Sequence, residues 1–196
     1  KEIILLEGAV YDTSLPITYV TYEVLKKISR LENVPEIMTV CKIEEQEKKI
    51  NDKIIILDNV SDPGNVGTII RTALAFNINT IVLSNDSVSI YNDKLIRASE
   101  GAIFKANIIT RDLKEFIKEI KNDGYTVIGT ALKNSESIKT LKKCNKYALV
   151  FGNEGNGIKE EILELCDKRV RINISSKVES LNVSIASGIM MFYMED

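Results

Sequence analysis

The sequence predicts an α/β domain on a mostly parallel sheet, preceded by a small module of short strands around one helix. Three observations carry this. Short apolar runs recur from residue 53 onward, too brief for helices and with the unbroken texture of strands buried on both faces. Segments with apolar residues at helical spacing stand between them. The two kinds alternate along the chain, which is the pattern of a parallel sheet with helical crossovers.

Each element follows in order. Residues 3–6 and 37–40 are apolar runs read as strands, and residues 22–30 form a helix between them. Residues 44–49, Glu-Glu-Gln-Glu-Lys-Lys, are charged without an apolar face and read as a solvated linker. Residues 54–57 are a buried strand. Residues 66–76 are a helix, with apolar side chains at 66, 69, 70, 73 and 74. Residues 80–83 are a second buried strand. Residues 112–122 are an amphipathic helix closed by Gly124. Strands are expected at 125–131, 147–151 and 169–174, with a helix at 158–166. A last helix, 182–195, has almost no polar face (Val183, Ile185, Ala186, Ile189 and Met190 through Met194). A helix apolar all round is buried all round, so this one is expected to need a second copy of the chain as cover.

Composition narrows the chemistry. The 196 residues allow one domain, or one domain plus a smaller module. The chain has no histidine, which excludes Ser-His-Asp and Cys-His triads, HExxH zinc sites and imidazole acid–base catalysis. Cys41, Cys144 and Cys166 are odd in number and never spaced as CxxC, so neither a disulfide framework nor a metal site is expected, and a reducing cytoplasm is. No apolar run is long enough to span a membrane. With 26 basic and 28 acidic residues the net charge is −2, so nucleic acid would have to be held by local patches. Lys94, Arg97, Lys105 and Arg111 are candidates, with Lys139, Lys142 and Lys143. The chain starts at Lys1 without Met or a signal-peptide pattern, and is expected to be a piece of a longer protein.

Three segments carry more Gly, Asn and Ser than packing requires, each where a buried strand gives way to a helix. That is where ligands bind in open α/β sheets. The first runs from Asp58 to Arg71 and contains Asp62-Pro63-Gly64-Asn65-Val66-Gly67. Pro63-Gly64 makes a turn and Asn65 can cap the helix. Gly67 and Arg71 share a helix face, which leaves room for a ligand or a backbone beneath the guanidinium. The second is Phe151-Gly152-Asn153-Glu154-Gly155-Asn156-Gly157, three glycines in six residues around a carboxylate. It is neither a dinucleotide fingerprint nor a P-loop. The third runs from Ile172 to Ser184, a polar loop ending on a helix cap at Ser180 or Asn182. Taken singly, the first and third read as turns and caps, and only the second reads as well for a site as for a turn.

In this order and spacing the three resemble the signature motifs of the SpoU (TrmH) branch of the SPOUT RNA methyltransferases. Asp62 through Ala73 resembles DPxNxGxxxRTA, residues 151–157 resemble FGxEGxG, and Glu179 through Ala186 resembles ESLNVSxA. The resemblance covers residues 53–196. Residues 1–50 look like the end of an L30e-like RNA-binding module, which makes residues 51–196 the methyltransferase domain. The resemblance implies a SPOUT-type domain whose C-terminal part forms a deep trefoil knot. It also implies S-adenosylmethionine as cofactor, a homodimer in which two subunits complete each site, and transfer of a methyl group to a ribose 2′-hydroxyl of RNA. Ribosomal RNA is the first expectation and transfer RNA the second.

Carried over by position, Gly152, Ile172 and Leu181 would contact the cofactor. Thr130, Ala131, Leu132, Asn153, Glu154, Ile174, Ser180 and Asn182 would line the same pocket. Arg71 would be the catalytic cation. An arginine stays protonated, so stabilising the developing 2′-oxyanion or fixing a phosphate suits it better than accepting a proton. Asn65 would orient Arg71 or the ribose, and Glu154, Asn182 and Ser184 would complete the polar shell. Asn173 departs from the family's usual proline and restores an N–H there. Two other readings are weighed: a non-catalytic RNA-binding protein on the same fold, and an unrelated nucleotide-using α/β enzyme.

Overall fold

The structure is a computed structural model that describes residues 1–42 and 49–195. The chain divides into two compact units, Lys1–Glu45 and Gln46–Asp196. In the first, strand β1 (Glu2–Leu6) is central, parallel to β2 (Ile17–Val20) and antiparallel to β3 (Ile37–Val40). Helix α1 (Tyr22–Ile28) follows β2. Alternation in β1 buries Ile3 and Leu5, and α1 buries Leu25. Strand β2 has no apolar run to announce it, since Thr18 and Tyr19 are exposed and only its ends are half-buried. Helix α1 stops two residues short of the expected end because Ser29 turns extended. The expected linker at 44–49 lies outside the described residues, Lys49 excepted.

The second unit is built on a seven-stranded sheet in which every pairing is parallel. Its strands are β4 (Lys53–Asp58), β5 (Thr80–Ser84), β6 (Asn107–Arg111), β7 (Thr126–Thr130), β8 (Glu136–Ser137), β9 (Tyr147–Gly152) and β10 (Lys168–Arg171). Across the sheet they lie in the order β6-β5-β4-β9-β7-β10-β8. Its helices are α2 (Pro63–Ala75), α3 (Asp93–Ala98), α4 (Leu113–Asn122), α5 (Glu160–Leu163) and α6 (Val183–Met194). The strand period of two splits the apolar runs between two cores. Ile55 and Leu57 of β4 face a core shared with α2 and α6, whereas Ile54 and Ile56 face one shared with α4 and α5. Burial on both faces is why these strands read as unbroken apolar runs.

Several boundaries differ from expectation. Helix α2 begins at Pro63, because Asp62 rather than Asn65 is its cap: the Asp62 carboxylate accepts the Asn65 backbone N–H at 2.8 Å, and proline suits the first helical position. The helix expected at 158–166 is one turn long. Asp167 is drawn to β7 instead, its N–H donating to the Val127 carbonyl and its carboxylate accepting the Val127 N–H. Strand β10 ends at Arg171, after its last pairing with β8. Strand β6 and helix α3 were not expected, since neither has a strong period. The last helix is not buried all round. Val183, Ser187, Met190, Met191 and Met194 are buried, while Ile185, Ile189 and Phe192 stand 56%, 38% and 70% exposed in a stripe along one side.

Candidate active site

Strands β7, β9 and β10 end side by side, and the loops that follow them enclose a cavity of about 650 Å³. All eleven residues expected to hold a cofactor line it: Thr130, Ala131 and Leu132 after β7, Gly152, Asn153 and Glu154 after β9, and Ile172, Ile174, Ser180, Leu181 and Asn182 after β10. Ile172 and Ile174 turn in while Asn173 between them is exposed and does not line the cavity. The substitution of the family's proline therefore falls on the outer side of an extended stretch.

The segment after β9 is a tight hairpin. The Asn153 and Gly157 backbones exchange two hydrogen bonds, at 3.0 and 2.9 Å. The Asn153 side chain fixes the tip: its Oδ1 accepts the Gly155 and Asn156 N–H groups, and its Nδ2 donates to the Asn59 carbonyl at 2.9 Å. Gly157 has φ of +73°, which a side chain would strain. Gly152 is needed for a different reason. A Cβ there would lie 2.1 Å from both the Gly157 carbonyl carbon and the Ile158 nitrogen. The glycine thus makes room for the returning arm of its own hairpin.

Glu154, at the hairpin tip, reaches α2. Its Oε1 accepts the Asn65 Nδ2–H at 2.9 Å and the Asp62 backbone N–H at 3.3 Å. Asn65 Oδ1 in turn accepts from Asn182 Nδ2 at 2.9 Å. Asn182 Oδ1 caps α6, accepting the Ser184 N–H at 2.8 Å and the Ser184 hydroxyl at 2.6 Å. The polarity of this chain is fixed at both ends. A carboxylate only accepts, so Asn65 must present its amide nitrogen to Glu154 and its oxygen to Asn182. The start of α6 offers only N–H groups, so Asn182 must turn its oxygen inward. Burial alone would raise the Glu154 carboxyl, but the Asn65 amide and the backbone N–H groups around it outweigh that and hold it below the ordinary glutamate value. Glu154 is therefore an anionic acceptor at neutral pH and a poor proton donor.

The other expected catalytic residue stands apart. Arg71 does not line the cavity, and the Asn65 side chain bonds to Glu154 and Asn182 instead of to it; its guanidinium is paired with Glu100 at 2.6 Å, both side chains more than half exposed. The room that Gly67 makes beneath it is filled by protein: a Cβ there would lie 2.6 Å from the Ala98 Cβ and 2.9 Å from the Leu95 carbonyl oxygen. Glu100 was missed from sequence because it belongs to none of the three segments. Of the candidate basic residues, Lys94 pairs with Asp62, Arg97 with Asp93, and the Lys143 ammonium with the Glu195 carbonyl, while Lys105, Arg111, Lys139 and Lys142 are exposed. Among the described residues no cluster of His, Cys, Asp or Glu could hold a metal, and no helix is long and apolar enough to cross a membrane.

Comparison with known proteins agrees with this geometry. Residues 52–192 match the SpoU rRNA Methylase family. The chain is 30% identical over 183 residues to the 23S rRNA (guanosine(2553)-2′-O)-methyltransferase RlmP of Bacillus subtilis, covering 93% of this chain and 74% of that protein. It spans 38% of rRNA methyltransferase 1, mitochondrial, of Dictyostelium discoideum, to which it is 33% identical. A solved structure of a TrmH-family protein from Porphyromonas gingivalis superposes with a TM-score of 0.85 at 27% identity, covering 100% of this chain and 82% of that one. That of an AdoMet-bound rRNA methyltransferase from Sinorhizobium meliloti superposes at 0.78 with 29% identity, covering 92% of this chain and 72% of that one. With the three motifs joined by one hydrogen-bonded chain and the match spanning all seven strands of the parallel sheet, the chain belongs to the SpoU rRNA Methylase family.

Proposed function

We propose that this chain methylates a ribose 2′-hydroxyl of ribosomal RNA, using S-adenosylmethionine held in the cavity at the ends of β7, β9 and β10. The observation that carries this is the Glu154–Asn65–Asn182 chain, which ties all three motifs to the cavity's rim. The residues present fit the cofactor. The cavity has the volume of a small-molecule site. Its wall combines the apolar side chains of Ala131, Leu132, Ile172, Ile174 and Leu181 with the hairpin at 153–157, an apolar slot with polar groups at one side that suits an adenine ring. The S. meliloti relative's AdoMet-bound state supports the same assignment, and the RlmP relative supports 23S rRNA as the substrate. Transfer RNA is the alternative substrate.

The bound cofactor supplies an electrophilic methyl group on a good leaving group. The chain's own work is to orient the ribose and manage charge. Arg71 stabilises the negative charge that develops on the 2′-oxygen as its proton passes to solvent, or fixes an adjacent phosphate. Glu154 and Asn182 on the cavity wall, with Asn65 and Ser184 bonded to them from outside it, form a polar network of fixed direction.

Two structural expectations join this reading. The first is a homodimer through α6: the exposed stripe of Ile185, Ile189 and Phe192 asks for cover, and Arg71 lies outside its own chain's cavity, as it would if it served the second copy's. The second is the knot. Strand β10 is bonded to β7 on one side and β8 on the other, so the segment joining β7 to β9 passes around its outer edge. The Tyr193 hydroxyl of α6 then donates to the Leu141 carbonyl of that segment. The cytoplasm is the expected place of work, and the three thiols are free.

The test is incubation of the chain with tritiated S-adenosylmethionine and an unmodified B. subtilis 23S rRNA transcript. The expected product is label in an alkali-resistant dinucleotide, the mark of a 2′-O-methyl group. Saturable cofactor binding with no label in 23S rRNA or tRNA would move the chain to the non-catalytic reading.

A further inference from the structure

The contact between Arg71 and Glu100 is built by an unusual use of backbone. Glu100 follows α3 with φ of +46°. The described residues hold four non-glycine residues at positive φ, and the other three are Asn59, Asn77 and Asn134, the type that tolerates it. A glutamate there is a strained choice, and the next residue, Gly101, is itself at +82°. The strain is not repaid in stability, because an ion pair this exposed contributes little.

The rest of the turn is held firmly. The Ser99 side chain is fully buried with its hydroxyl on the Ile96 carbonyl, the Glu100 N–H donates to the Arg97 carbonyl, and the Ala102 N–H donates to the Ser99 carbonyl. Helix α3 lies flush on α2 at Gly67, one turn below Arg71. Any side chain at 67 would lift α3 and carry Glu100 away. Gly67, α3 and the strained Glu100 thus form one construction whose outcome is a carboxylate against the guanidinium.

We propose that Glu100 is a positioning residue for Arg71, accepting one N–H of the guanidinium and presenting the rest of the fork to the RNA. The proposal rests on the reading of Arg71 as the catalytic cation. A long exposed side chain on a helix has many rotamers. A fixed acceptor selects one of them and keeps the cation oriented as the substrate arrives.

The test compares Arg71→Ala, Glu100→Gly and Glu100→Gln on the 23S rRNA transcript, with kcat, KM for RNA, filter-binding affinity and melting temperature. Glycine suits the backbone at 100, so Glu100→Gly is expected to melt no lower than wild type. Its kcat is expected to fall about tenfold or more, with RNA affinity within about threefold. A glutamine's amide oxygen still accepts an N–H, so Glu100→Gln is expected to keep kcat within about threefold of wild type. Independently of any RNA, the Arg71 Nε–Hε NMR signal should lose order in Glu100→Gly and keep it in Glu100→Gln. Wild-type kcat and an equally ordered Arg71 in Glu100→Gly overturn the proposal, as does equal loss in both Glu100 variants. Full turnover in Arg71→Ala overturns the reading of Arg71 itself, a separate result.

Discussion

The two parts of the site are held in opposite ways. The hairpin at 153–157 is locked from every side: by its own paired backbone, by Asn153 to the loop before α2, and by Glu154 through Asn65 to the cap of α6. Its base is fixed too, where the Lys159 N–H donates to the buried Asp58 carboxylate at 2.7 Å. Arg71 is tied at one point, by an exposed ion pair. The part that must present a preformed cavity is over-determined. The part that must meet a charged, incoming substrate is held by a contact that water and phosphate can reach.

The contrast can be broken most sharply at Arg71. Arg71→Ala is expected to lower methyl transfer by about a hundredfold or more while leaving cofactor affinity, by calorimetry, within about threefold. Loss of cofactor binding in that variant would mean the two parts are not separable. Gly152→Val should do the reverse and abolish saturable cofactor binding. A Cβ 2.1 Å from the hairpin's returning backbone forces that arm to move, at about 3 kcal/mol or more of stability by urea unfolding. Unimpaired binding there would show that the hairpin does not shape the cavity.

Smaller effects sharpen the picture. Asn65→Ala removes a hydrogen bond from each of Glu154 and Asn182, both open to water, and should cost about 0.5–1.5 kcal/mol. It also carries a pH signature. The Glu154 carboxyl is held below its ordinary 4.5, so its contribution is complete above that pH and fades as the pH falls through the lowered value. Without Asn65 the lowering shrinks, so the fall of the urea midpoint as the pH drops below 4.5 should flatten. At the hairpin base the sign is opposite. Burial pushes the Asp58 carboxyl up against the pull of the Lys159 N–H and ammonium, so the charged form is the disfavoured one in the fold. Its contribution is therefore greatest below 3.8 and is lost as the pH rises through the raised value. Asp58→Asn, which keeps an acceptor for Lys159, should melt at pH 7 no lower than wild type, whereas Asp58→Ala should cost about 1–3 kcal/mol. Equal losses in the two would assign the anchor to charge instead.

Five of the sheet's seven strands and most of its helices were legible in the sequence, because each depends on local signals, whereas the eleven expected residues of the cavity wall were collected by the resemblance to the SpoU family. Apolar runs mark strands buried on both faces, periods mark helices, and glycine-rich turns at strand ends mark where a ligand enters. What stayed hidden depends on pairs of residues far apart in the chain. Asn65 reads locally as a helix cap, but Asp62 takes that role, and the Asn65 amide is left to join residues 89 and 117 positions away. Gly67 reads as room for a ligand or a backbone, and only the structure shows that it is the backbone of α3, while Gly152 serves its own hairpin. The exposed stripe on α6 and the partner of Arg71 were likewise beyond reach. A helix's apolar content does not say which side its neighbours cover, and nothing in the spacing of Arg71 and Glu100 marks them as a pair. Residue types and their periods were enough to set most of the architecture, and the resemblance to the SpoU family collected the site's residues. Which side chain meets which was decided only when parallel strands, each joined to the next by a long crossover, brought the ends of distant segments to the same edge.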